Sequence, residues 1–114
     1  MSFYFDIKQE EELILISLKG SLMSKEPAQP LLDEIDFFFN EGLRKIIIDL
    51  SEMQYINSTG LSVLINIFTQ TRNNGGEVII ASIPEKINEL LIITKLNSIF
   101  NIEETVEDAK KFLI

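Results

Sequence analysis

The sequence predicts an α/β fold: a single domain over residues 1–114 with a mixed, mostly parallel β-sheet of about five strands and about four helices. Three observations carry this. Short β-branched runs, such as Ile46-Ile47-Ile48 and Val78-Ile79-Ile80, alternate with longer stretches of helical periodicity. The first two strand-like runs are separated only by an acidic turn, as in a hairpin. Each later strand follows a helix, and repeated βα units place their strands in parallel.

The elements follow in order. Phe3 to Lys8 alternates, with Phe3, Phe5 and Ile7 on one face and Tyr4, Asp6 and Lys8 on the other, as in a strand half covered by a core. Glu10-Glu11-Glu12 reads as a solvated turn that discourages edge pairing. Leu13 to Leu18 is a more buried strand, and Gly20 is expected to end it. Ser24-Lys25-Glu26-Pro27 opens a helical segment whose regular part is expected at 30–41, closed by Gly42. Leu31, Ile35, Phe38 and Phe39 form its apolar side, widened by Leu32 and Phe37; the phenylalanines read as core rather than as a cofactor pocket.

Lys45 to Leu50 is the third strand, followed by a polar loop. A helix then runs from Ser58 or Thr59 to Asn74, closed by Gly75-Gly76, with Leu61, Leu64, Ile65 and Phe68 as its core stripe. Val63 and Ile67 fall on another side, beside Ser62, Asn66, Gln70 and Asn73. They serve either burial under a neighbouring helix or a partner-binding surface. Glu77 to Ser82 is the fourth strand, and Ser82-Ile83-Pro84-Glu85 begins the next helix with proline near its first position. Its Ile87, Leu90, Leu91 and Thr94 share a face, but Leu90 to Ile93 are four apolar residues in succession, so some leave that face as a wedge between layers or an interaction patch. Phe100-Asn101-Ile102 is a short last strand. Thr105-Val106-Glu107-Asp108 caps a final helix that Lys110-Lys111 suit at its C-terminal end.

Composition restricts the chemistry. The net charge of −8 repels the phosphates of nucleic acids and anionic lipid, so neither is an expected partner. The chain has no cysteine and no histidine, which removes thiol nucleophiles, thiolate or imidazole metal sites and every triad with an imidazole base. No cofactor or metal is expected. Neither a signal peptide nor a membrane-length apolar run is evident, which predicts a cytoplasmic protein.

The chemistry that remains centres on Ser58, where a buried strand gives way to a helix. A hydroxyl there can cap the helix or carry an anion such as phosphate. Asn57 is a competing cap that would leave Ser58 free. Asp49 is a poor base for a serine hydroxyl, and Ser58-Thr59-Gly60 lacks the glycine spacing and lysine of a phosphate-binding loop, so no catalytic residue is assigned.

Gly20, the run Ile47-Ile48-Asp49-Leu50-Ser51, Tyr55-Ile56 leading into Asn57-Ser58-Thr59-Gly60-Leu61, Gly75-Gly76, and the segment from Leu96 to Asp108 together resemble the bacterial anti-sigma factor antagonists, within the STAS domains. The resemblance covers nearly the whole chain and implies a STAS-like fold and a small switch protein. It implies that an anti-sigma factor serine kinase phosphorylates Ser58, with Thr59 as the fallback acceptor and Ser62 a distant third, and that a serine phosphatase reverses this. Only the unmodified form would bind the kinase and so release a sigma factor. The implied partner surface is Asn57, Ser58, Thr59, Gly60, Ser62, Val63, Asn66 and Ile67, on a monomer or weak dimer. The alternative is a constitutive scaffold or adaptor subunit of a sensory assembly that is never phosphorylated. The family motif most often has an acidic residue before the phosphoacceptor; Asn57 stands there instead, which removes a carboxylate a kinase can recognise and keeps a side chain able to cap.

Overall fold

The computed structural model describes residues 2–113. The hairpin forms as expected from β1 (Phe3–Glu10) and β2 (Leu13–Leu22), antiparallel, with Glu10 opposite Leu13 across the turn. α1 (Gln29–Asn40) follows a 3-10 turn at Glu26–Ala28, then come β3 (Lys45–Ile56), α2 (Ser58–Asn73), β4 (Glu77–Ala81), α3 (Glu85–Ile93), β5 (Asn101–Glu103) and α4 (Val106–Leu113). The strands lie in sequence order, and every pairing after the hairpin is parallel.

The β-branched runs are buried on both faces of this sheet. Ile46 and Ile48 of β3 join Ile14, Ile16, Val78 and Ile80 in the larger core, under α1, α2 and α3. Ile47, between them, points to the opposite face with Ile79 and Ala81, where Ala109 and Leu113 of α4 cover them. Period-2 alternation within a doubly covered strand produces this division. Among the described residues no helix is long and apolar enough to cross a membrane.

The central strands run further than their composition suggests. β2 continues past Gly20 to Leu22, and β3 continues past Leu50 through Ser51, Glu52 and Gln54 to Ile56, in place of the expected polar loop. The two extensions pair with each other, Lys19 with Glu52, Gly20 with Met53 and Leu22 with Ile56, across two register shifts. Met53 and Ile56 turn into the core while the residues between them stay exposed, so the backbone ladder and two apolar anchors hold the segment. Gly20 does not end a strand. It takes φ +84°, and a side chain there would run into the Ser2 carbonyl.

Other expectations shift locally. Phe39 is buried, Phe38 is half-buried and Phe37 is exposed, so only part of the phenylalanine cluster is core. Pro84, expected near the first helical position, is the N-cap of α3 and makes no side-chain capping bond. The acidic turn is not merely solvated: Glu10 pairs with Lys110 of α4 at 2.7 Å and with Lys8 at 3.3 Å. Hydrogen bonds from these ammonium groups, that of Lys110 first, hold the Glu10 carboxyl below its usual range. Thr105 caps α4 as expected, its Oγ1 accepting the Asp108 N–H at 3.0 Å.

Candidate functional site

The end of β3 delivers the chain to α2 through a single residue, Asn57, in extended conformation. Asn57 is the cap. Its Oδ1 accepts the Gly60 N–H at 2.9 Å, and its Nδ2 donates to the Met23 carbonyl at 3.0 Å. One amide therefore satisfies an orphan donor of the helix and ties it to the segment leaving β2. A carboxylate could make the first bond but has no proton for the second. We predict that Asn57→Ala lowers stability by about 1 kcal/mol, measured as a shift of the urea midpoint at unchanged slope.

With the cap supplied by its neighbour, Ser58 is the first residue of α2 and is exposed. Its Oγ has no partner among the described residues. Its carbonyl accepts the Ser62 hydroxyl at 3.1 Å. Gly60 seats the helix start against β2, because a Cβ there would collide with the Leu22 carbonyl and the Ile56 side chain.

The residues expected to form one partner surface separate into two sets. Ser58, Thr59, Ser62 and Asn66 are exposed and Asn57 is half-buried. Gly60, Val63 and Ile67 are not on the surface; Val63 and Ile67 are 3% and 0% exposed. The buried arc of α2 is Gly60, Leu61, Val63, Leu64, Ile67 and Thr71. Two of these look neutral or polar in the sequence, which displaced the apparent apolar stripe toward Ile65 and Phe68, both only partly buried. Thr71 is accommodated because its hydroxyl donates to the Ile67 carbonyl at 2.7 Å within the same helix. α1 lies alongside, joined through Gln70 and Asp36.

Ser58 opens onto a groove of about 380 Å³ between the end of β3, the start of α2 and α3. Tyr55, Leu61, Ile87, Leu90 and Thr94 give it a largely apolar lining, to which the exposed Lys86 also contributes. Thr59 and Ser62 instead line a smaller hollow with Lys25 and Asn66, so the two candidate acceptors face different surroundings. The sequence reading missed Lys86 and Tyr55 as members of this site. The apolar run Leu90 to Ile93 was the signal available: Leu90 lines the groove, while Ile92 and Ile93 are exposed further along α3. Asp49 is occupied elsewhere, accepting the Ser51 N–H at 2.9 Å.

A family model of the STAS domain matches residues 4–109. The chain belongs to this family. Among STAS relatives it is 35% identical over 74 residues to a Thermotoga maritima protein named as a candidate anti-sigma factor antagonist, a match covering 65% of this chain and 66% of that one. The chain thus spans just under two thirds of that relative's length. It is 28% identical over 107 residues to the anti-sigma-B factor antagonist of Bacillus subtilis, covering 94% of this chain and 96% of the relative. A crystal structure of a candidate anti-sigma factor antagonist from Thermotoga maritima superposes with a TM-score of 0.80 at 28% identity, over 94% of this chain and 92% of the other. The five-stranded mixed sheet with four helices is the STAS fold.

Proposed function

We propose that this STAS domain is an anti-sigma factor antagonist whose unmodified form binds an anti-sigma factor serine kinase, and that phosphorylation of Ser58 switches the binding off. The observation that carries the reading is the free Ser58 hydroxyl. Asn57 takes the capping role, so a kinase meets an exposed nucleophile whose modification breaks no bond of the fold. Phosphate adds about 1.5 to 2 negative charges at neutral pH, tolerable at a helix N-terminus but unfavourable at the mouth of an apolar groove in contact with a partner. The chain's net charge of −8 adds to that cost unless the partner is strongly basic. A serine phosphatase completes the cycle, and the partner surface consists of the exposed Ser58, Thr59, Ser62 and Asn66 with the groove lined by Tyr55 and Leu90.

The names of the curated relatives point to the same class. The test is intact-mass and fragment analysis of the protein isolated from its own cells. One phosphate on Ser58 is the expected result. Protein that is unmodified under every growth condition would overturn the switch in favour of a constitutive scaffold subunit, and phosphate confined to Thr59 would move it to the Lys25 side of the helix.

A further inference from the structure

We propose that the outer edge of β1 pairs with the β1 edge of a second copy of this chain, in an antiparallel register centred on Ile7. β1 is the end strand of the sheet, eight residues long. It contains no proline, and its pairing with β2 has no bulge, so two common devices that blunt an edge are missing. The acidic triplet lies at the tip of the hairpin and leaves the stretch from Phe3 to Gln9 uncovered by it.

Hydrogen-bond parity fixes which backbone groups face outward. The Ser21 N–H donates to the Ser2 carbonyl at 3.0 Å, and these residues continue the register in which Phe3 opposes Gly20. Bonded and non-bonded pairs alternate along an antiparallel ladder, so Tyr4, Asp6 and Lys8 direct their N–H and C=O toward β2. Phe3, Phe5, Ile7 and Gln9 direct theirs into solvent. A second β1 must bond to those same odd-numbered residues, which limits a two-fold pairing to centres on whole residues.

Charge selects among them. A centre on Asp6 sets Asp6 against its own copy, and one on Lys8 opposes Lys8 to itself and Asp6 to Glu10. A centre on Phe5 pairs no opposite charges and shortens the overlap. A centre on Ile7 sets Asp6 against the second copy's Lys8 and Lys8 against its Asp6. Both contacts fall at non-bonded positions, where facing side chains approach most closely. Ile7 then meets Ile7, and Phe5 and Gln9 exchange bonds, giving about six new backbone hydrogen bonds. Asp6 and Lys8 already pair with Lys19 and Glu10, but their side chains stay 72% and 73% exposed, so each can share its charge with a second copy. The net charge of −8 on each copy opposes association and keeps it weak and reversible.

The proposal is independent of Ser58. Sedimentation equilibrium of the full chain is expected to show a monomer–dimer shift with concentration. Lys8→Asp and Asp6→Lys each place like charges face to face and are expected to weaken the dimer about tenfold. An equimolar mixture of the two variants restores it, because one strand then presents only carboxylates at these positions and the other only ammonium groups. Gln9→Pro, which removes an outward N–H from an exposed residue, is expected to give monomer with an unchanged circular dichroism spectrum. Wild-type protein that remains monomeric at millimolar concentration would overturn the proposal and leave the edge to an extended segment of another protein. A mixture that associates no better than either variant alone would overturn the Ile7 register.

Discussion

Ser58→Asp is expected to lower the affinity for the proposed partner, an anti-sigma factor serine kinase, at least about tenfold, while Ser58→Ala binds as the unmodified protein does and no longer responds to ATP. The asymmetry follows from the cap. Because Asn57, not Ser58, accepts the Gly60 N–H, removing the Ser58 hydroxyl takes nothing from the helix. Adding a carboxylate places charge beside the groove, where Tyr55 and Leu90 offer an apolar surface and Lys86 belongs to the lining. Isothermal titration with purified kinase reads both variants directly. Equal affinity in the two would show that charge at this position does not control the interface.

Ile67→Ala is expected to cost about 2–5 kcal/mol of stability, read as a fall in the urea midpoint. Ile67 is fully buried in the larger core with Leu64, and truncating it leaves a cavity that a doubly covered sheet cannot close by local collapse. A surface role would predict the reverse: little change in stability and a direct loss of partner binding. Asn66→Ala, the exposed neighbouring position, supplies the contrast, since a surface substitution should leave stability within about 0.5 kcal/mol.

The order of elements, the hairpin, the parallel sheet and the Ser58 junction were legible in the chain because each rests on a strong local signal. The Ile-Ile-Ile runs are satisfied by burial on both strand faces, Asn57 marks a helix start by its capping amide, and Pro84 marks another by its fixed φ, one position earlier than expected. Local signals also misplaced three features. Ser51 to Gln54 look like loop and are strand, because β2 extends beside them and pairs with them. Gly20 looks like a strand end and is a tight approach to Ser2. Val63 and Ile67 fall off the apparent core stripe because Gly60 and Thr71, which lie within the buried arc of α2, carry no hydrophobic signature; of the two roles the sequence left open for the pair, the structure shows burial.

What the sequence alone determined is therefore the class of fold, the absence of imidazole and thiol chemistry, and Ser58 as the hydroxyl of interest. Only the tertiary structure decided that Asn57 frees that hydroxyl, that α3 contributes Lys86 and Leu90 to a groove beside it, and that Gly60, Val63 and Ile67 of the expected partner surface are buried. The reason is physical. Periodicity and capping depend on residues a few positions apart, whereas burial of a helix face and the lining of a groove depend on segments some 30 residues away, which nothing in the local chain encodes.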